Sequence, residues 1–555
     1  MRNALMKKLC ILMACLWGSV LGAQDCAQPV FSAFYGRPDL FERGLAQSAH
    51  VAPVPRIGGA ILPHHLEMPD LLGGAVRMIA SPQVKRVIVL FPDHFYQSRT
   101  VFSVTTKGFQ TVLGPVPVDA QAARSLMRSE LVSDSCLFQK DHGLRAVLPF
   151  LARLMPEVPI VPVALSINSR QAQWDQLIEA LRPLMTPGTV VLQATDFSHY
   201  LPQHAARLRD QQVLNILAAG DAQAAGQLIQ PDHVDSVGAM YVAMRLMAQQ
   251  GRYPVVVANA NMQELYDRFI AETTSYVVAA FVPDGAEAPP IHGQRFVIGG
   301  DLFLGRVLPG LLSDELIARR VQEAALAATG GLPLVLNLEG VLLPQMPSTL
   351  DHMVLGMPAD LLRDWARRLN VVAVSLANNH ARDIGESGLA ETRRALRAFG
   401  IAHFGQGEVL HLMGAALVGL TDLDGRAVPS VDRLTPEILD RAILPEADVP
   451  VIGFVHWGRE FVTRPSARED WIAEELRKRG VSAIIGAHPH AVSRGLALLG
   501  GGDSVVLHSL GNFLFDQLPP QSSGGLAEIR VFPQGTVFIR QRPLPHLFAR
   551  TQSGN

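Results

Sequence analysis

The chain alternates short apolar, β-branched runs with amphipathic stretches, and in its second half nearly every such run ends on a polar, metal-capable cluster. Phe296-Val297-Ile298 runs into Gly299-Gly300-Asp301, and Leu334-Val335-Leu336 into Asn337-Leu338-Glu339-Gly340. Val372–Leu376 runs into Ala377-Asn378-Asn379-His380, Val451–Val455 into His456-Trp457-Gly458, and Ala483-Ile484-Ile485 into Gly486-Ala487-His488-Pro489-His490. Strands alternating with helices specify an α/β fold, and in open α/β sheets ligand sites lie just beyond the carboxyl ends of strands. Singly, a strand-end histidine is a hydrogen-bonded structural residue, and an aspartate after glycine is a turn or a cap. Five clusters delivering Asp, Glu, Asn-His, His and His-x-His to one edge instead build a metal site of hard and borderline ligands. Only four of the 555 residues are Cys, so any metal must be held by His, Asp, Glu and Asn, and the chain has 18 His.

Strands are expected in the first half at Val84–Phe91, Ile160–Leu165, Thr189–Ala194, Val255–Ala258 and Tyr276–Phe281. In the second half they are expected at Arg295–Ile298, Leu334–Leu338, Val371–Leu376, Val451–Val455, Ala483–Ile485 and Val505–Leu507. Three- and four-residue spacing of apolar side chains predicts helices over Ala359–Leu369, Gly388–Phe399 and Arg468–Lys478. At about 150 residues per domain the length allows three or four domains, or two large ones. The Pro-rich, aperiodic stretch around residues 283–292 favours two, at 28–282 and 293–545. The 48 Lys and Arg nearly balance the 50 Asp and Glu, which argues against a nucleic-acid partner.

A basic start at Arg2, Lys7 and Lys8, an apolar run from Leu9 to Val20 and an exit at Leu21-Gly22-Ala23 form a signal peptide over residues 1–23. The run falls short of the roughly 20 residues needed to span a bilayer, so no transmembrane anchor is expected after cleavage and the mature chain is expected to be exported, periplasmic or secreted. Leu12-Met13-Ala14-Cys15 is a weaker, lipoprotein-like alternative. Cleavage near Ala23 removes Cys10 and Cys15 and leaves Cys26 and Cys136, an even pair that is either a disulfide in an oxidising compartment or two free thiols.

The first half carries a sparser constellation. Pro63-His64-His65 follows Ile61-Leu62, Pro92-Asp93-His94 ends the strongest strand, Asp141-His142 precedes a helical run, and Asp196-Phe197-Ser198-His199 follows Thr189–Ala194. Histidines at three such termini are able to supply a three-nitrogen site that zinc, iron and copper all accept. Their bland alternative is to bond backbone carbonyls.

The second-half set, Gly300-Asp301…Gly305-Arg306, Asn337–Gly340, Leu376–His380 with Asp383 and Gly385, His456-Trp457-Gly458, Gly486–His490 and Ser509–Phe513, resembles the CapA family of capsule and poly-γ-glutamate synthesis. That family belongs to the calcineurin-like metallophosphoesterases. The resemblance covers nearly all of 293–540. It implies a β-sandwich flanked by helices, with a one- or two-metal centre of Mn, Fe or Zn at the sheet edge. The implied ligands are Asp301, Glu339, Asn379, His456, His488 and His490. His380 and Asp301 are the implied catalytic residues, His380 as the acid that protonates the leaving oxygen. Two departures from the wider superfamily stand out. Leu302-Phe303 follows Asp301 where Asp-x-His is usual, and Glu339 stands where a bridging Asp is common.

Residues of roughly 50–282 resemble the Memo family, including bacterial AmmeMemoRadiSam system protein B, through Pro63-His64, Pro92-Asp93-His94, Asp141-His142 with Leu148-Pro149-Phe150, and Asp196–His199. Memo proteins look like class III extradiol dioxygenases. The resemblance implies His64, His94 and His199 as ligands of Fe, Zn or Cu, with Asp141, His142 and Asp196 lining the pocket. His65 competes with His64. Where the family has a Cys before Gly, this chain has Val237-Gly238.

The implied function is an exported two-domain metalloprotein that hydrolyses a phosphoester or related bond in an anionic or phosphorylated envelope polymer or its precursor. A non-hydrolytic polymer-binding or assembly protein is the first alternative. A non-haem iron oxidoreductase in the Memo-like half is the second.

Overall fold

A computed structural model describes residues 28–266, 271–425, 433–442, 449–517 and 524–548. The expected signal peptide, with Cys10 and Cys15, and the Cys26 half of the disulfide candidate lie outside these residues. Cys136 is disulfide-bonded. No helix among the described residues is long and apolar enough to cross a membrane.

The fold is mixed α/β in two compact units. The first comprises the described residues up to Phe197 together with Ile229–Tyr253 and Val277–Pro283. The second comprises Ser198–Leu228, Pro254–Tyr276 and the described residues from Asp284 on. Two segments that precede the 283–292 stretch are therefore built into the unit that follows it.

In the first unit four parallel strands lie side by side in the order Gly59–Leu62, Thr189–Ala194, Arg86–Asp93, Ile160–Ser166. Nearly every residue of these strands is buried, so they read as continuous apolar runs, as parallel strands covered on both faces must. Val277–Pro283, the latter part of the strand Thr273–Pro283, adds antiparallel beside Gly59–Leu62, with Ala279 opposite Ile61. The carboxyl ends of three parallel strands lead directly into His64-His65, His94 and Asp196.

The second unit contains two sheets. One has the order Ala402–Phe404, Val371–Ser375, Leu334–Leu338, Gln294–Leu302, Gly524–Phe532, Thr536–Leu544, with Asn512–Leu514 pairing at the end of Gln294–Leu302. The other runs Val409–Leu412, Ala415–Thr421, Val451–His456, Val481–Ala487, Ser504–Leu507, Ala497–Leu499. Period-2 alternation sends Phe296, Ile298 and Val335 into a core shared with Leu417, Phe454, Ile485 and Leu507 of the second sheet. Val297, Leu334 and Leu336 point the other way, onto the helices Glu315–Thr329 and Ala359–Leu369. Ala416, Val418 and Val455 likewise pack on Ala467–Lys478.

The Ser198–Leu228 and Pro254–Tyr276 segments enter this unit through a buried polar network. Asp210, on the helix Gln203–Ala219, accepts hydrogen bonds from Ser198 Oγ (2.7 Å), Ser275 Oγ (2.6 Å), Asn259 Nδ2 (3.1 Å) and Gln534 Nε2 (2.9 Å). Gln211 exchanges two 2.8 Å bonds with the backbone of Val537, and Asn215 Nδ2 donates to Gly502 O at 2.8 Å. Four donors on one buried carboxylate offset a desolvation that an unpartnered Asp210 would not survive.

Candidate metal centres

In the second unit, strand register carries the clusters to one edge. Asp301 lies opposite Asn337 and Asn512, Asn337 lies opposite Ser375, and His456 lies opposite Ala487. Each strand then hands its next residues to that edge: Glu339 after Leu338, Asn378–His380 after Leu376, and His488 after Ala487. The close approach of Asn512–Leu514 requires Gly300, because a Cβ there would overlap the Gly511 carbonyl oxygen. The His-Pro-His turn holds His488 and His490 at φ +94° and +51°, strained backbone of the kind that clusters at functional sites.

Asp301, Glu339, His456, His488 and His490 are all buried, while Asn379 and His380 are half-buried. His490 Nδ1 lies 3.2 Å from Asp301 Oδ2 and 2.8 Å from Asn512 Oδ1, and the His488 amide donates to Asp301 Oδ2 at 3.1 Å. His456 Nε2 donates to Asn379 Oδ1 at 2.9 Å and stands 3.7 Å from Glu339 Oε1. Asn337 joins the network from within, its Nδ2 donating to Asp301 Oδ1 at 2.8 Å and lying 3.2 Å from His456 Nδ1. Asn378 Nδ2 donates in turn to Asn337 Oδ1 and to Leu338 O. His380 is aimed by Asp383, whose Oδ2 holds His380 Nδ1 at 2.9 Å, leaving Nε2 4.0 Å from Glu339 Oε1.

The electrostatics are those of an ion-free site crowded with like groups. Burial and then the Asp301 charge push the Glu339 carboxyl well above the carboxylate range. Burial and the neighbouring His490 lower His488 to about 4, and burial with His488 and His490 lowers His456 well below its ordinary value. Burial also opposes protonation of His490, but Glu339, Asp301 and Asn512 outweigh it and hold it up to about 10.

These residues fit a divalent ion. Glu339, His456 and His488 offer donor atoms all within 4.8 Å of one another, as do Asp301, Glu339 and His490. Glu339 is common to both groups, which suits one or two ions. Glu339 Oε2 and His488 Nδ1 are buried without a hydrogen-bond partner, an uncompensated cost that coordination removes. Asn337, Asn378, Asp383 and Asn512 are additions to the site. Each stands inside or beside a cluster quoted from the sequence, but its role depends on cross-strand register that a linear pattern does not carry.

In the first unit the strand-end residues also converge. Asp93 closes the turn after its strand by accepting from the amides of Phe95, Gln97 and Ser98. Asp141 caps the next helix through Gly143 N (2.8 Å) and holds His94 Nδ1 at 2.9 Å. A Cβ on Gly143 would sit 2.9 Å from His94 Cε1, so this contact needs glycine. His64 Nδ1 is 3.1 Å from Ala194 O, and its Nε2 is 3.1 Å from Asp235 Oδ2. His65 Nδ1 pairs instead with Asp196 Oδ2 at 3.0 Å, with its side chain 34% exposed against 1% for His64. His64 is thus the inward-facing residue of the pair. His94 Nε2 lies 3.8 Å from the same Asp235 oxygen.

Donor atoms of His64, His94 and His142 lie within 4.8 Å of one another, as do those of His64, Asp196 and Asp235. His199 belongs to neither group. It is buried on the short strand His199–Leu201, opposite Thr274. Burial opposes protonation of His94, but bonds to Asp141 and Asp235 raise it to about 10, while burial and the neighbouring His94 and His64 lower His142 to about 3. Burial would raise the Asp235 carboxyl, yet His64 and His94 hold it well below the usual range. Asp235 is the residue that sequence reasoning passed over, and its only signal was its place two residues before Val237.

Comparison with known proteins also gives two matches along the chain, the first of which takes in Ser198–Leu228, a segment that the structure builds into the second unit. The family model described as Memo-like protein matches residues 47–265, and that described as Bacterial capsule synthesis protein PGA_cap matches residues 295–428 and 429–517. Capsule biosynthesis protein CapA of Bacillus anthracis is 26% identical over 196 residues, covering 31% of this chain and 47% of that protein. PGA biosynthesis protein CapA of Bacillus subtilis is 29% identical over 170 residues, covering 27% and 44%. A MEMO1 family protein of Methanopyrus kandleri is 28% identical over 167 residues, covering 29% and 59%. The chain therefore spans about half the length of these curated relatives.

Proposed function

We propose, for a chain that joins a Memo domain to a PGA_cap domain, an exported metalloprotein whose second unit hydrolyses a phosphoester or related bond in an envelope polymer or its precursor. The observation that carries this reading is the convergence of Asp301, Glu339, His456, His488 and His490, with two of their donor atoms unpartnered, beside a carboxylate-oriented His380. With Asn379 these residues would hold Mn, Fe or Zn. A divalent ion there supplies Lewis-acid polarisation of a phosphoryl oxygen and activation of water. Asp383 accepts from His380 Nδ1–H and so aims Nε2 into the centre, where the imidazolium form would give its Nε2 proton to the leaving oxygen and be left neutral with its proton on Nδ1. Asn337 and Asn378 hold the carboxylate and imidazole ligands in place. The two facing sheets with helices outside them support a calcineurin-like architecture, and the bonded Cys136 supports an oxidising compartment.

The full chain, loaded in turn with Mn²⁺, Fe²⁺ or Zn²⁺, is expected to cleave bis(p-nitrophenyl) phosphate. His456→Ala is expected to abolish cleavage, and equal turnover by that variant would sink the assignment.

One observation favours a second reading. Leu302 and Phe303 are buried in an apolar core, so the position after Asp301 supplies no imidazole. A centre short of that donor suits holding an anionic polymer such as polyglutamate without cleaving it. Metal-dependent binding of polyglutamate, with no turnover of phosphoesters or amides, is the outcome that selects this reading. For the first unit we propose metal binding through His64 and His94, with Fe, Zn or Cu as the candidate ions.

A further inference from the structure

Three carboxylates surround His64 and His94, and two are already committed. Asp141 caps a helix through Gly143 N and orients His94 through Nδ1. Asp196 accepts from the His64 amide through Oδ1 and pairs with His65 through Oδ2. Asp235 differs. The helix that follows it, Val237–Ala248, is capped by Ser236, whose side chain accepts from Ala239 N, so Asp235 has no capping role. Its side chain is only 9% exposed, its Oδ1 has no hydrogen-bond partner, and its Oδ2 accepts from Asp196 N at 3.1 Å.

The two histidines face it in the arrangement typical of metal ligands. His64 gives its Nδ1 proton to Ala194 O and His94 its Nδ1 proton to Asp141, which leaves both Nε2 atoms turned toward Asp235 Oδ2, at 3.1 and 3.8 Å. Asp235 Oδ2 thus lies between two imidazole nitrogens while Oδ1 stays buried and unpartnered, a carboxylate placed to share a bound cation with them. Val237, where a thiolate would sit in relatives with Cys-Gly, is buried and apolar.

We infer that Asp235 is the carboxylate ligand of the first unit's centre, completing with His64 and His94 a two-histidine, one-carboxylate set that takes Fe²⁺ or Zn²⁺ in preference to Cu⁺. The inference rests on the reading that this unit binds a metal, and goes beyond it by naming the third donor and the class of ion. Nitrogen and oxygen donors without sulfur disfavour the soft cuprous ion.

The test is spectroscopic and uses the full chain with Co²⁺ as the probe. Asp235→Cys, kept reduced, is expected to gain a thiolate-to-cobalt charge-transfer band in the near ultraviolet. No candidate ligand of the second unit is a cysteine, and the band is expected to vanish when His94→Ala is added. Asp235→Asn is expected to bind Co²⁺ at this centre at least about 10-fold more weakly. Cobalt bound to wild type at His64 and His94, but with no band in Asp235→Cys and unchanged affinity in Asp235→Asn, overturns the inference and leaves metal binding intact. Cobalt stoichiometry that is the same in wild type, His64→Ala and His94→Ala overturns both. Should Asp235→Cys not fold, the visible cobalt spectra of Asp235→Glu and Asp235→Asn decide: identity with wild type in both counts against Asp235.

Discussion

His380 and Asp383 form the pair on which a proton transfer in the second unit turns. A general acid matters in proportion to how badly the leaving group needs its proton. His380→Ala is therefore expected to lose about 10²–10⁴-fold in kcat on an alkyl phosphodiester, but far less on a p-nitrophenyl ester, whose leaving group departs unprotonated. Equal losses on both substrates would show that His380 has another role. Asp383→Asn, which keeps the shape but turns the His380 tautomer, is expected to reproduce the leaving-group dependence with metal content unchanged. The histidines also set a pH dependence of loading. His490 and His94 are each held protonated up to about 10 in the ion-free protein, whereas His488 at about 4 is already neutral. Coordination needs the neutral imidazole, so loading must displace protons at neutral pH and affinity must rise with pH across that range. Calorimetry in buffers of different ionisation enthalpy is expected to register release of about one proton or more per centre. Zero release at pH 7 contradicts the placement of these two residues as ligands.

At the scale of the element, the strand ends depend on close backbone approach. Gly300 lets Asn512–Leu514 pair against the end of Gln294–Leu302, and Gly486 faces the His508 carbonyl, which also accepts from Trp457 Nε1 at 2.9 Å. A Cβ at either glycine overlaps a backbone oxygen that cannot rotate away. Gly300→Ala and Gly486→Ala are each expected to cost about 1–3 kcal/mol or more, as overpacked sites do. The urea midpoint should fall with little change in slope. Wild-type stability in either variant would mean that the strands separate more easily than their register implies. Helices and strands were legible alike where the apolar pattern is strong: Ala359–Leu369, Thr189–Ala194 and Leu334–Leu338 have the bounds expected, Arg468–Lys478 begins one residue inside Ala467–Lys478, and Gly388–Phe399 begins three inside Gly385–Phe399. Their apolar spacing is local and strong. The strand Thr536–Leu544 was not legible, because Arg540 and Arg542 break its apolar pattern. Glu528 on the neighbouring strand pairs with Arg542, and Arg540 donates to Ala286 O at 2.7 Å, which allows those charges inside.

For the whole molecule, Asp210 ties the second unit together across long sequence separations. Asp210→Ala removes the shared acceptor of Ser198, Ser275, Asn259 and Gln534; Ser198 keeps Ala206 O, Asn259 keeps Tyr276 O and Gln534 keeps Asn259 Oδ1, while a donor left buried and unpaired costs about 1–3 kcal/mol. Thermal unfolding is expected to begin several degrees lower, and cobalt binding through the first unit's His64 and His94 is expected to survive. Loss of only a few tenths of a degree would show that the network is dispensable. Metal adds a second layer. An ion held at about 100 times its Kd stabilises the unit that binds it by about 2.7 kcal/mol, so chelation should lower the melting temperature and re-addition restore it.

The sequence by itself determined the α/β class and the Memo and capsule-synthesis parts of the chain, and it named most of the side chains that the structure brings together. Those features are local, since an apolar run and the polar residues that end it sit next to one another. Tertiary structure decided what no run contains. It turned His64 rather than His65 inward, set Asp235 against two imidazoles and left His199 on a separate short strand. It also moved Ser198–Leu228 and Pro254–Tyr276 into the unit that begins again at Asp284. The physical reason is the same in each case. Which oxygen meets which nitrogen follows from cross-strand register and from the pairing of buried polar groups far apart in the chain, and neither leaves a periodic trace.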